Sequence, residues 1–161
     1  MVGTIDDIKR AYIAGYIDGD GSINATMLKS GSHSGEIRTE LNITSVNPKA
    51  IKEMQSWFGT GYFEVKPATK SRKGYRTAYV WRINTHIDML NIINEVIDFM
   101  ITRKEQALIM REYIMSRMSK PRELVDYHKN GRLYRVPQKP GYSNEEIQMI
   151  MNISNLNKGV Y

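Results

Sequence analysis

Tyr12-Ile13-Ala14-Gly15-Tyr16-Ile17-Asp18-Gly19-Asp20-Gly21-Ser22 (residues 12–22) is the stretch on which the reading of this chain turns. Acids at Asp6 and Asp7 suit the start of a helix and Gly21 suits its end, which predicts a helix over residues 7–20. Ala11, Gly15 and Gly19 recur every four residues and fall on one stripe of it. Glycine inside a helix costs about 1 kcal/mol relative to alanine. The stripe therefore implies close backbone approach, either inside the domain or to something beyond it. Asp18 and Asp20 sit at the helix C-terminus, where the dipole disfavours a carboxylate by about 0.3–1 kcal/mol. A divalent cation offsets that repulsion, and the free carbonyls of a helix end are oxygen ligands of the same hard type.

The run Asp18-Gly19-Asp20-Gly21-Ser22-Ile23 also looks like the middle of an EF-hand calcium loop. In that register the first ligand position is Tyr16 and the twelfth is Met27, neither of which supplies a carboxylate. No second such loop occurs, so the EF-hand reading fails.

Downstream, the pattern changes period. Residues 22–29 set Ile23, Ala25 and Met27 against Asn24 and Thr26, and residues 37–45 set Ile37, Leu41 and Ile43 against Arg38, Glu40, Asn42 and Thr44. Such alternation marks two half-buried strands, joined by a glycine- and serine-rich loop over residues 29–36. Asn47 before Pro48 gives an N-cap and a first helical residue, with Gly59 closing that helix. Residues 61–66 and 75–83 read as another strand pair, linked by a basic loop at 67–74. Tyr79, Trp81 and Ile83 point to the core, and Arg76 and Arg82 lie on the other face beside Ala78 and Val80. Thr85 with Asp88, Thr102 with Glu105, and Ser143 with Glu146 each resemble a capping box ahead of a helix. A further short helix is expected near residues 121–129, ending at Asn130-Gly131. The expected order is α-β-β-α-β-β-α with extra C-terminal helices. That is an α+β fold with one four-stranded antiparallel sheet, in a single domain over residues 1–161.

Composition bounds the chemistry. The chain has no cysteine, which excludes disulfides and thiolate metal sites. Its histidines, His33, His86 and His128, lie far apart with no ligand spacing. No run approaches the roughly 20 apolar residues of a membrane span, and the N-terminus lacks the apolar core of a secretion signal. No membrane role and a cytoplasmic or organellar location are the expectations. Lys and Arg number 23 against 17 Asp and Glu, a formal +6, with a pI near 9.5. Such an excess favours a polyanionic partner.

Residues 13–21, Ile-Ala-Gly-Tyr-Ile-Asp-Gly-Asp-Gly, closely resemble the nine-residue signature of the LAGLIDADG homing endonucleases. The resemblance extends to Leu41-Asn42-Ile43-Thr44-Ser45, the helix from Pro48, Gly59-Thr60-Gly61-Tyr62 and Trp81-Arg82-Ile83. It also takes in Arg103-Lys104-Glu105-Gln106-Ala107 and Leu156-Asn157. The motif occurs once, and single-motif members of that family work as homodimers. By this resemblance the sheet is curved and lies in the DNA major groove. The chain would be an intron-encoded, magnesium-dependent DNA endonuclease that hydrolyses both strands of a long, partly palindromic site and leaves 3′ overhangs.

The resemblance also assigns roles. Helices of two subunits pack along Ala11, Gly15 and Gly19, with Asp18 bracing the dimer interface. Asp20 and the Gly19 carbonyl bind Mg²⁺, and Mn²⁺ or Ca²⁺ can occupy the same sites. The metal would activate water and stabilise the leaving 3′ oxygen. Ser45 stands where the family often has glutamine, Lys49 supplies a basic group four residues on, and Arg103 stands where a lysine is usual. Arginine stabilises phosphate charge but does not deprotonate near neutral pH. The base-reading set would be Asn24, Thr26, Arg38, Glu40, Asn42, Thr44, Glu64, Lys66, Arg76 and Arg82. Lys70, Arg72 and Lys73 would contact phosphates, and the loop around His33 would reach outer bases. Two alternatives share the fold. One is an intron-RNA maturase using Arg111, Arg117, Lys120, Arg122, Lys129, Arg132 and Arg135. The other is a non-cutting DNA-binding regulator, against which the acid at Asp20 stands.

Overall fold

A computed structural model describes residues 5–29, 35–68, 76–138 and 140–159. Helix α1 (Asp7–Asp20) starts where Asp6 accepts a hydrogen bond from the Lys9 N–H. It buries Ile13, Ala14 and Ile17 completely. Its end is set by Gly21, where an added Cβ would lie 2.6 Å from the Ile17 Cα and 2.7 Å from the Ile17 carbonyl oxygen. No side chain fits there, and the backbone turns straight from helix into strand.

Strands β1 (Gly21–Met27) and β2 (Ile37–Ser45) follow, then α2 (Pro48–Phe58), β3 (Tyr62–Lys66), β4 (Ala78–Ile83) and α3 (His86–Val96). A short 3-10 turn (Ile97–Phe99) leads to α4 (Lys104–Ser119). The four strands form one antiparallel sheet in the order β1-β2-β4-β3. Ile23, Leu41, Ile43, Trp81 and Ile83 line its inner face, fully buried with residues of α1, α2, α3 and α4. The other face stays polar. The expected α+β architecture and its four-stranded sheet are what the chain adopts, although β4 begins at Ala78, so Arg76 precedes the strand.

Two local expectations fail. Residues 121–129 are not helical: β5 (Glu123–Lys129) and β6 (Arg132–Gln138) make a separate antiparallel hairpin. Asn130 (φ 52°) and Gly131 (φ 73°) form its two-residue turn, both left-handed as a type I′ turn requires. The same dipeptide that stops a helix closes a hairpin, and the flanking Val125, Tyr127, Tyr134 and Val136 favour strand. Thr102 does not cap α4 either; the cap residue is Arg103, and Thr102 donates its hydroxyl to the Asp18 carbonyl. The caps at Asn47, Thr85 and Ser143 form as the sequence implies, Ser143 and Glu146 in a complete capping box.

Helix α5 (Asn144–Asn157) lies along the free edge of β1, where Asn157 donates to the Ile23 carbonyl (2.8 Å). Its first turn holds a buried ion cluster. Glu146, 1% exposed, meets Lys120 at 2.8 Å and Arg117 at 3.4 Å, and accepts from Ser116 (2.9 Å) and the Ser143 N–H (3.0 Å). Burial alone would raise the Glu146 carboxyl, but Lys120, Ser143, Ser116 and Arg117 outweigh it and hold the pKa at about 2. No helix of the described residues is long and apolar enough to cross a membrane.

A depressed carboxyl pKa stabilises the fold fully above its ordinary value and loses that contribution as pH falls through the folded one. Glu146→Gln leaves Arg117 and Lys120 without their counter-charge and costs about 3–5 kcal/mol at neutral pH. Urea unfolding of both proteins checks this; the gap between them narrows as pH drops from about 4.5 toward 2.

Candidate functional site

The outward face of α1 carries the glycine stripe. Ala11, Gly15 and Gly19 are exposed, and a Cβ built on Gly15 or Gly19 meets nothing within 4 Å. Packing inside the domain therefore does not explain these glycines. Ile8 is 82% exposed on the same side. Tyr12 stands beside the stripe against Tyr16 (ring centroids 5.0 Å) and edge-on to Trp57 (5.8 Å). Ala11, Tyr12, Gly15, Tyr16 and Asp20 line one shallow depression.

The stripe ends at Asp20. Its side chain is exposed and makes no hydrogen bond or ion pair among the described residues. The last turn of α1 contains no basic residue to balance it. A carboxylate left free at the negative end of a helix suits a cation. Among the described residues no three acids or histidines gather into a ligand cluster, so one chain supplies one carboxylate and backbone oxygens. A divalent cation that keeps some of its waters suits such a sparse set.

Asp18 behaves differently. Its carboxylate accepts from the Ile101 N–H (2.7 Å) and the Arg103 N–H (2.9 Å), and its carbonyl accepts from Thr102 (3.2 Å). The side chain ties α1 to the start of α4 in its own chain. Burial would raise this carboxyl, but the Ile101, Arg103 and Thr102 donors prevail and hold it below its ordinary value.

That tie places the flanking basic group. Arg103 is half-buried next to the end of α1, and its Nε has no partner among the described residues. The pairing of Gly21 with Ile43 puts the end of β2 beside the end of α1, so Ser45 stands at the same end of the sheet as Asp20. Its hydroxyl accepts from the Asn47 N–H (3.1 Å), and the exposed Lys49 opens α2 next to it.

The polar sheet face runs outward from this point. Register aligns Ser22, Asn42, Arg82 and Tyr62 in one row, Asn24 with Glu40 in the next, and Thr26 with Arg38 beyond. Thr44, Val80 and Glu64 form a row on the other side. Arg82 sits between Glu40 and Glu64, the latter at 2.6 Å, and Asn42 donates to Glu40. The Asn42 side-chain oxygen Oδ1 and the Arg82 Nε are buried without partners among the described residues. Lys66 and Arg76 are exposed at the periphery. Lys70, Arg72, Lys73 and His33 lie outside the described residues. Ser22 and Tyr62 belong to this face too and were passed over, although each shares the two-residue period of a neighbour on the face, Asn24 and Glu64.

The lowered Asp18 pKa means that its contribution is complete above about pH 4, its ordinary value, and drains away as the medium becomes more acid. Asp18→Asn turns an amide donor toward an N–H and costs about 1–3 kcal/mol at pH 7. Thermal melts across pH 2–7 check this, the variant showing the flatter profile.

Comparison with known proteins addresses the family and the fold. The profile described as LAGLIDADG endonuclease matches residues 13–106. No curated relative matches the chain. Among solved structures it is similar to the homing endonuclease I-CvuI in complex with the I-CreI target. The TM-score there is 0.59, with 14% identity over 95% of this chain and 80% of that one. It is similar also to the archaeal intron-encoded I-Vdi141I complexed with DNA, with TM-score 0.53 and 24% identity over 68% of each chain. A third is I-SmaMI bound to cleaved DNA, with TM-score 0.61 and 14% identity over 94% of this chain but 45% of the larger one. Such identities speak to the fold, while the matched profile spans the signature helix, the sheet and the start of α4. The chain belongs to the LAGLIDADG endonuclease family.

Proposed function

We propose that this protein is a homing endonuclease that hydrolyses both strands of a long, partly palindromic duplex as a homodimer, using divalent cations. The observation that carries the proposal is the outward stripe of Ala11, Gly15 and Gly19 ending in the unpaired Asp20. Two copies packed along that stripe bring two Asp20 carboxylates together, and the repulsion between them makes a cation obligatory. Asp20 and the Gly19 carbonyl would hold Mg²⁺, whose chemistry is Lewis-acid polarisation of the phosphate and a lowered pKa for water.

The chain's own groups do the rest. Ser45 fixes a water by hydrogen bonding. Arg103 and Lys49 offer positive charge to the phosphate as negative charge builds on it. Hydrolysis adds water to phosphorus and breaks the bond to the 3′ oxygen, which leaves as a hydroxyl. Cuts offset between the two strands leave 3′ overhangs. The polar rows from Ser22 to Arg38 supply donors and acceptors for base edges in the major groove. I-CvuI and I-Vdi141I, similar in fold, are solved with DNA, which supports duplex DNA as the substrate here.

The test is incubation of the purified protein with a randomised duplex library in Mg²⁺, with sequencing of cut ends. Staggered cuts at one partly palindromic sequence, lost at least 1,000-fold in Asp20→Asn (roughly the scale of removing one essential electrostatic group), are expected. Cutting that survives in Asp20→Asn contradicts the assignment of the site. Sequence-specific binding by both proteins without cuts favours a regulator.

A further inference from the structure

The β5–β6 hairpin takes no part in the site described above. A two-stranded hairpin is at best marginally stable alone in water, and the described side chains on one face of this one are exposed. Leu124 is 68% and Leu133 54% exposed, and Asp126, His128 and Arg135 beside them are exposed as well. The base is tied to α4 and α5. Glu146 binds Lys120 on the outgoing leg and Arg117, which reaches the return leg through the Pro140 (3.1 Å) and Gly141 (3.3 Å) carbonyls. The Arg117 guanidinium also lies 4.4 Å from the centroid of the Tyr142 ring. The Tyr142 hydroxyl accepts from the Ile37 N–H (2.9 Å). Ile37 begins β2 opposite Met27, at the end of the sheet remote from Asp20. So the arm is rooted where the polar sheet face runs out.

Its charge is basic. Lys120, Arg122, Lys129, Arg132 and Arg135 stand against Glu123 and Asp126. Asp126 pairs with Arg135 (3.0 Å) and Lys120 is held by Glu146. Arg122 at the root, and Lys129 and Arg132 flanking the turn, add the arm's further basic residues. Strands of seven residues reach about 20 Å, roughly half a turn of duplex.

We propose that this hairpin is a second DNA-binding element. It grips the sugar-phosphate backbone of the duplex just outside the bases covered by the sheet, and so lengthens the footprint at both ends of the site. The inference rests on the proposed function, since it needs the sheet to lie on DNA. Continuity with the end of the sheet at Ile37 favours flanking duplex over structured RNA as the occupant.

The experiment compares Asp20→Asn protein, which leaves the duplex whole, with the same protein also carrying Arg122→Gln, Lys129→Gln and Arg132→Gln. Hydroxyl-radical footprints and binding over a salt series are read on the selected target. Each phosphate contact contributes about 0.9 to the slope of log K against log salt. The expected result is a slope shallower by about 2–3, with loss of protection confined to the outermost nucleotides of both flanks. Restoring charge with Lys at position 132 (Arg132→Lys) recovers about one unit. Circular dichroism and melting show that the variant is folded. An unchanged slope and flank footprint overturn the hairpin's role while leaving the endonuclease reading intact. Loss of binding to structured intron RNA with the DNA footprint unchanged overturns it in favour of an RNA contact. Absence of any footprint from the parent overturns both readings.

Discussion

Two backbone N–H groups, those of Ile101 and Arg103, bind the Asp18 carboxylate and fix the end of α1. The remainder of the site is positioned from that joint. Because α1 enters β1 without a loop at Gly21, holding Asp18 holds the first strand as well. The strand register then carries the constraint to Ile43, to Trp81 and on to Phe63. Asp18 and Asp20 are two residues apart with opposite fates. One carboxylate is bonded within the fold, and the other has no partner among the described residues at the negative end of a helix.

The sheet face shows a related economy. Arg82 lies between Glu40 and Glu64, and Arg38 lies 3.8 Å from Glu40, so two arginines offset two acids at its centre; such a surface offers hydrogen-bond donors and acceptors more than net positive charge. On the proposed function, attraction of a polyanion would fall to the exposed Lys66 and Arg76 at the periphery together with the β5–β6 arm. Dividing readout from attraction in this way keeps specificity separate from the salt-sensitive part of binding.

Much of this was legible in the residues. The two-residue period of β1, β2 and β4 sorted core from polar face, and Trp81 and Leu41 fell inside as that period requires. Asn47, Thr85 and Ser143 declared their helices through local chemistry. What escaped was non-local or ambiguous. The partners of Asp18 lie more than 80 residues away, and no spacing rule reaches that far. Thr102 has two possible uses for one hydroxyl, and the tertiary contact with Asp18 won. Asn130-Gly131 ends a helix and turns a hairpin equally well, and the strand preference of the flanking Tyr127 and Tyr134 decides between them. The glycine stripe was visible as a pattern, but whether it faced inward or outward needed coordinates.

The outward direction of that stripe is the centre of the account. Sedimentation equilibrium of the wild-type chain beside Gly15→Leu tests it most directly. Leucine replaces a residue whose Cβ position is open and raises helix propensity by up to about 1 kcal/mol, so the single chain stays folded. The account predicts a two-chain mass for the wild type and a one-chain mass for the variant, with matching circular dichroism. A variant as dimeric as the wild type, or a wild type that stays single even on its target duplex, would contradict it.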